Sequence, residues 1–483
     1  MAFSFHSRFF KTETITLADT TEQIIRGGRD QSCLLKKAFA GIKQIGVIGW
    51  GSQAQAQAQN LRDSLKDTGV TVKVGLRKDS PSLNKARALN FTEETNTLGE
   101  MHKTIKESDM VLLLISDAAQ VKHHEEIFCS LKPGSTLGLS HGFLLGYFAN
   151  NNIKPPDNIN IIGVCPKGMG DAVRTLYVQG QHTCGVGINT SFAVHQDSDG
   201  RATDQAIGWS VALGAPVSFF TTLTAEYKSD IFGERAILLG AVYGIVEALF
   251  RHFTTHDNMP EETAFRLTAD SITGPLSRLI SRSGLPAVYE SLTPNEKETF
   301  IKMYTAAYAP AYALLLEIYD EVSSGNELRS VILASHRQKD FPLCRADGSR
   351  VWQVGQQTRH WRVDDKIPLH PATAGLYVGI MMAQVDLLLA KGHSYSEVCT
   401  ESVIEAVDSI NPHMHAMGAT HMFNHCSFTA QAGVRKWGPR FDHLMHHQIL
   451  PTFLDHTRPP KEAAASFINH QIHQPLGVCL SLR

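Results

Sequence analysis

The stretch Ile45-Gly46-Val47-Ile48-Gly49-Trp50-Gly51-Ser52-Gln53-Ala54 decides the fold of the first half of this chain. A short apolar run enters a glycine turn, and the segment that follows, Gln55 to Lys66, is rich in Ala and Gln and reads as a helix. Strand, glycine turn and helix in that order give a dinucleotide fingerprint its physical meaning. Gly49 permits the tight turn and Gly51 lets backbone approach a pyrophosphate, while the amides opening the helix form an anion site. Ala54 takes the third fingerprint position, where it packs slightly less closely than glycine.

Reading outward, Val70 to Leu76 is the next strand, and it runs into Arg77-Lys78-Asp79-Ser80-Pro81-Ser82. An NAD enzyme carries an acid there for the ribose hydroxyls. Arg77, Ser80 and Ser82 suit a 2′-phosphate instead, so NADPH is expected over NADH. Ser108 to Asp117, Gly134 to Gly142 and Ile159 to Gly168 read as further buried parallel strands. Each ends in polar groups at the carboxyl edge, where ligands bind in open α/β sheets. His141 and Lys167 are therefore candidates to face the nicotinamide and substrate, against the plainer reading of solvated strand ends.

A second stretch, Glu226-Tyr227-Lys228-Ser229-Asp230-Ile231-Phe232-Gly233-Glu234-Arg235, spaces three acids at i, i+4 and i+8. At helical spacing Asp230 and Glu234 share a face that Ile237 and Ala241 continue inward. Glu401 and Glu405 repeat the spacing. Such pairs are usually solvated, but Ile237 to Val246 is apolar on nearly all sides, and Val398, Val403, Ile404 and Val407 surround the second pair. Buried acids are protonated, salt-bridged or metal-bound. Two pairs in one chain favour a site for hard divalent cations with oxygen ligands.

The bulk numbers bound the rest. At 483 residues the chain holds two or three domains, and a net charge of −2 gives no electrostatic case for nucleic acid. No apolar run reaches the roughly 18–20 residues of a membrane span without interruption, so no membrane is expected. The eight cysteines show no CxxC pair and read as reduced thiols. Met1 to Phe10 lacks the apolar core of a secretory signal, and no long transit segment precedes the glycine turn, so a cytoplasmic protein is expected unless a plastid leader is missing. The histidines crowding the end (His443, His446, His447, His456, His470, His473) lack ligand spacing and read as surface and core residues.

After about residue 200 helical periodicity takes over. Gly240, Val246, Glu247 and Leu249 align with Gly379, Val385, Asp386 and Leu388, and Glu262 aligns with Glu397, which reads as a duplicated helical unit joined by Arg337–Asp365. The expected organisation is an α/β Rossmann domain over 1–203 and two helical copies over 204–345 and 346–483. Each acid pair then comes from a different copy.

Dispersed motifs carry a resemblance. They are Arg26 to Asp30, Gly46 to Gln53, Leu139 to Gly146, Pro166 to Gly170, Glu226 to Leu239, Gly392-His393-Ser394-Tyr395-Ser396-Glu397 and Lys436 to Phe441. Together they resemble the ketol-acid reductoisomerase family in its long, plant-like class II form. The resemblance implies a Rossmann domain followed by an all-α, duplicated, knotted domain. It also implies Mg²⁺-dependent alkyl migration in 2-acetolactate or 2-aceto-2-hydroxybutyrate, then NADPH reduction, for valine and isoleucine synthesis.

By the same resemblance Asp230 bridges two Mg²⁺ ions, with Glu234 on the first and Glu401 and Glu405 on the second. Glu226 and Lys167 orient metal-bound water and the ligands, and His141 stands near the nicotinamide. Ser427 bonds the substrate, and Gly49, Gly51, Ser52, Gln53, Arg77, Ser80, Ser82, Asp117, Gln120 and Gly170 contact the cofactor. A homodimer or homotetramer is implied. Ala54 in place of the usual glycine and the loosely matching tail after Arg440 are departures. A metal-free dehydrogenase of the 6-phosphogluconate or 3-hydroxyacid type is the alternative enzyme, and a nucleotide-sensing protein the alternative class; neither explains the four acids.

Overall fold

The structure, a computed structural model, describes residues 4–183, 185–454, 459–460 and 462–482. Met1 to Phe3, Cys184 and His456 lie outside the described residues. The chain divides into two compact units, Met1–Tyr227 with the last two residues, and Lys228–Ser481.

The first unit is built on one ten-stranded sheet. Its strands are β1 (Thr12–Leu17), β2 (Thr20–Arg26), β3 (Gln44–Ile48), β4 (Thr71–Leu76), β5 (Leu98–Glu100), β6 (Met110–Leu113), β7 (Thr136–Leu139), β8 (Asn160–Pro166), β9 (Thr190–Gln196) and β10 (Val217–Phe220). In the order β1-β2-β10-β9-β8-β7-β6-β3-β4-β5, the run from β8 to β5 is parallel throughout. That is the doubly wound nucleotide-binding order, with its switch point between β3 and β6. The strands are continuously apolar because helices cover both faces: Ile45, Val47, Val111, Leu112 and Ile161 are fully buried.

The unit reaches Tyr227 rather than stopping at 203. Helix Ala202–Ala212 is buried along its length, and its Trp209 indole donates to Gln57 Oε1 at 3.1 Å. Strand β10 then pairs with β9 and β2. The opening segment also belongs to the fold: Phe10 lies in the core, Phe5 and Phe9 pack on it, and Arg8 pairs with Asp204 at 2.7 Å.

The second unit is helical and shows the duplication in its backbone. Segment Glu261–Ser283 contains two π-helical turns, Arg266–Asp270 and Ile272–Leu276. Segment Tyr395–Met417 contains two more, Thr400–Ile404 and Ala406–Ile410, in the same order. The equivalent residues Ser277 and Asn411, 134 positions apart, meet each other, with Asn411 Nδ2 donating to Ser277 Oγ at 3.0 Å. Contact between equivalent positions marks a local two-fold axis.

The copies interlock. Helix Gly240–Thr255 of the first packs against Phe428–Leu444 of the second, and Pro371–Ala390 of the second against Pro294–Ser323 of the first. They therefore form one compact unit instead of the separate 204–345 and 346–483 expected. The crossings also correct the repeat register. A Cβ at Gly244 would lie 2.4 Å from Phe441 Cβ, and one at Gly379 3.3 Å from Cβ of Ala307, the residue 134 positions before Phe441, so Gly379 falls within one residue of the place of Gly244 in the repeat and not at that of Gly240. Leu223–Thr255 and Pro371–Ala390 are apolar and long enough for a membrane span by composition, but their apolar windows are 83% and 89% buried in the fold.

The expected single helix from Glu226 through Ala241 is broken. Helix Leu223–Arg235 ends in a turn, and a new helix starts at Gly240, where a Cβ would sit 1.9 Å from the Arg235 carbonyl oxygen. The Ile237 amide freed by the turn donates to Gln384 Oε1 at 3.1 Å. Ile237 and Ala241 thus do not continue the face of Asp230 and Glu234.

Candidate active site

In the first unit the glycine turn has the backbone that the sequence called for. Gly49 has φ +112°, a left-handed conformation that favours glycine, and a Cβ there would lie 2.6 Å from the Leu114 carbonyl oxygen. Gly51 is extended and precedes helix Ser52–Leu65, and a Cβ on it would meet nothing within 4 Å. Its outer side is open for a ligand. Ala54 is fully buried and fits.

The Pro166–Gly170 motif joins this turn. Gln53 Nε2 donates to the Gly168 carbonyl at 2.9 Å, and Gly170 packs so tightly that a Cβ would lie 2.3 Å from the Ser52 carbonyl carbon. Arg77 is exposed at the end of β4, in a turn held by Ser80 N to Arg77 O at 3.0 Å and Ser82 N to Ser80 Oγ at 3.3 Å. Beyond β6, Asp117 is not strand but the first residue of helix Asp117–Ser130. Gln120 is buried and braces that loop, its amide donating to the carbonyls of Leu113 (3.4 Å) and Ile115 (3.0 Å).

His141 and Lys167, read from separate strand ends, meet at Glu226. Lys167 Nζ lies 3.1 Å from Glu226 Oε1, and His141 Nδ1 lies 3.1 Å from Oε2. The Gly142 amide donates to Oε2 at 2.7 Å. Burial alone would raise the Glu226 carboxyl, but Lys167, His141 and the amide outweigh it and hold it well below the usual carboxylate range. The result is a carboxylate held toward its charged form that fixes a lysine and an imidazole.

In the second unit Asp230, Glu401 and Glu405 place a carboxylate oxygen each within 4.8 Å of one another. Glu401 is fully buried and Glu405 is 8% exposed. Glu401 sits in the first π turn of its segment and Glu405 follows it, and π turns recur at functional sites because they re-aim side chains. Three carboxylates held this close suit a hard divalent cation by donor chemistry. Glu234, expected in the same set, pairs with Arg235 at 2.8 Å and accepts from Ser427 Oγ at 3.5 Å. Ser427 also caps helix Phe428–Leu444, accepting from the Ala430 amide at 3.0 Å. Burial and Glu234 push the neighbouring Cys426 thiol up to about 12.

Sequence reasoning missed Arg235, the positive charge that a buried acid requires. It is fully buried, bonds Glu327 Oε2 at 2.9 Å and the Thr429 carbonyl at 3.1 Å, and occupies space left by Gly433. Arg235 stands beside Glu234 in the chain, so alternation of charge was its only signal. Glu327, also missed, is held below its ordinary value: burial raises it, but Arg235 and Lys436 lower it further.

These features define a nicotinamide-dinucleotide oxidoreductase fold that also carries a buried acid cluster. Residues 40–218 match the family model of the acetohydroxy acid isomeroreductase NADPH-binding domain, and 223–363 match the ketol-acid reductoisomerase C-terminal domain. The chain is 53% identical over 490 residues to the chloroplastic ketol-acid reductoisomerase of Spinacia oleracea, covering 100% of this chain and 82% of that one. With the chloroplastic enzyme of Pisum sativum it is 52% identical over 492 residues, covering 100% and 84%. A solved NADH-preferring ketol-acid reductoisomerase from an uncultured archaeon shares the fold at TM-score 0.55, 23% identity, 70% coverage of this chain and 100% of that one. The chain belongs to the ketol-acid reductoisomerase family. It is an isomeroreductase of branched-chain amino acid biosynthesis that uses a nicotinamide cofactor.

Proposed function

We propose that the protein converts 2-acetolactate or 2-aceto-2-hydroxybutyrate to the 2,3-dihydroxy acid by Mg²⁺-dependent alkyl migration and NADPH reduction. The observation that carries this reading is the convergence of Asp230, Glu401 and Glu405 within 4.8 Å. Burying like charges is costly without a compensating cation, and a metal-free dehydrogenase has no use for it. Mg²⁺ bound there would supply the Lewis acidity that polarises the substrate oxygens and acidifies its hydroxyl; two ions are expected from the resemblance. Asp230, Glu401 and Glu405, with Glu234, would hold the metal, as the family resemblance implies.

The remaining roles belong to the chain's own groups. Glu226, kept charged, orients Lys167 and His141 toward the reacting end, and His141 positions a proton near the nicotinamide. The Ser427 hydroxyl bonds the substrate. The amides of Gly51, Ser52 and Gln53 receive the pyrophosphate, and Arg77, Ser80 and Ser82 the 2′-phosphate. Gly49, Asp117, Gln120 and Gly170 shape the cofactor groove. A homodimer or homotetramer is the expected assembly. The chloroplastic names of the two relatives support a plastid location over the cytoplasm first expected.

The test follows NADPH absorbance with 2-acetolactate, with and without Mg²⁺. Oxidation that needs both substrate and Mg²⁺ supports the reading. Substrate-driven oxidation that persists in chelator overturns the metal assignment in favour of a metal-free dehydrogenase, and no oxidation by folded protein overturns the activity.

A further inference from the structure

Glu397 is one of the most buried acids in the chain, 2% exposed, and it falls in the Gly392–Glu397 motif that the expected ligand set leaves unused. Ser229 Oγ donates to Glu397 Oε1 at 2.5 Å. His393 Nδ1 lies 3.1 Å from the same oxygen, and its Nε2 lies 2.9 Å from the Tyr319 hydroxyl. Both imidazole nitrogens are therefore committed, one to a carboxylate and the other to a phenol. That pairing fixes the ring and the carboxylate together.

The ends of this chain of bonds give it meaning. Ser229 immediately precedes Asp230 on helix Leu223–Arg235. Glu397 lies four positions before Glu401, and Tyr319 anchors the other end on helix Pro294–Ser323, packed edge-on against Phe232 at 5.5 Å. Among the described residues the first copy has no such device. At the 134-residue register of the π turns, Glu397 corresponds to Thr263, which is exposed and has no carboxylate.

We propose that Tyr319–His393–Glu397–Ser229 is a positioning clamp that ties the backbone carrying Asp230 to the one carrying Glu401 and Glu405, and so sets divalent-cation affinity. Three carboxylates repel one another before a cation arrives, and only rigid support keeps them at chelating distance. The clamp acts through the ligands and touches neither substrate nor cofactor. It rests on the metal reading proposed above.

Calorimetric Mg²⁺ titration of the full chain tests it. Ser229→Ala is expected to weaken Mg²⁺ binding about tenfold or more, leave NADPH affinity unchanged, and recover its kcat when Mg²⁺ is raised to saturation. Glu397→Ala is expected to do the same. Glu397→Gln, which keeps an acceptor oxygen for Ser229, is expected to bind Mg²⁺ close to wild type. Wild-type affinity in Ser229→Ala overturns the clamp, as does Glu397→Gln binding as poorly as Glu397→Ala, which makes the charge itself the active feature. If Ser229→Ala does not fold, Tyr319→Phe takes its place: weakened Mg²⁺ binding supports the clamp, and unchanged binding overturns it. Absence of Mg²⁺ binding by wild type is a different failure, because it removes the functional reading on which the clamp rests.

Discussion

Segments Glu261–Ser283 and Tyr395–Met417 have the same backbone and opposite chemistry. Both run from α-helix through two π turns and back. At the register of 134 residues, Glu401 corresponds to Leu267 and Glu405 to Ser271. Leu267 only offers its carbonyl to Thr373 Oγ1, at 2.7 Å, and Ser271 Oγ accepts the His370 amide at 2.9 Å. The π geometry is thus a property of the duplicated fold, and the acid cluster with Asp230 depends on two side chains that only the second copy's π segment carries. Architecture alone does not make the site; the substitutions do.

The largest effect that separates the copies is expected at Glu405. Glu405→Gln should lower Mg²⁺-dependent turnover by about 100-fold or more, the several kcal/mol a metal's charge supplies, as measured by NADPH oxidation. Equal loss from Ser271→Ala would break the comparison.

The next effect runs the other way, because only the first copy carries a titratable group at its matching position, Asp270 against Ile404. Burial raises the Asp270 carboxyl to about 6, with Arg362 at 3.2 Å opposing. A carboxyl raised on folding favours the folded state while protonated, so that stability is present at low pH and lost as pH rises from about 4 through about 6. Thermal or urea unfolding at pH 4.5 and 7.5 should show a slope worth roughly 2 kcal/mol that Asp270→Asn flattens.

The matched glycines come third. Gly244→Ala and Gly379→Ala should each destabilise by about 1–3 kcal/mol in urea unfolding, with Gly244 worse because its would-be Cβ neighbours stand closer. A large effect at one and none at the other would argue against equivalent crossings. Smallest is Ser271→Ala, expected to cost about 1 kcal/mol for one buried hydrogen bond and to leave Mg²⁺ binding untouched.

Much of this was legible in the chain. The apolar strands and glycine turn follow from period and composition, and β3, β4, β6, β7 and β8 lie where Ile45, Val70, Ser108, Gly134 and Ile159 announced them. Acids set among Val398, Val403, Ile404 and Val407 foretold burial at Glu401 and Glu405. The π turns left no trace, because a shift from i→i+4 to i→i+5 bonding changes no residue type. The break after Arg235 was equally silent: a buried apolar run reads as helix whether or not a Gln384 side chain arrives from elsewhere to satisfy Ile237. Strands β1, β2, β5, β9 and β10 escaped notice; only β1 and β5 of these are edges of the sheet. His393 and Glu397 stood in a quoted motif, but only packing shows that the histidine bridges Tyr319 to the acid.

The most direct test of a metal site that uses the acids of the second copy's π segment and not their counterparts in the first is anomalous diffraction from crystals of the full chain grown with Mn²⁺. The expected result is anomalous density among Asp230, Glu401 and Glu405 and none beside Leu267 and Ser271. Density elsewhere, or none at the three acids in crystals that bind Mn²⁺, would contradict it.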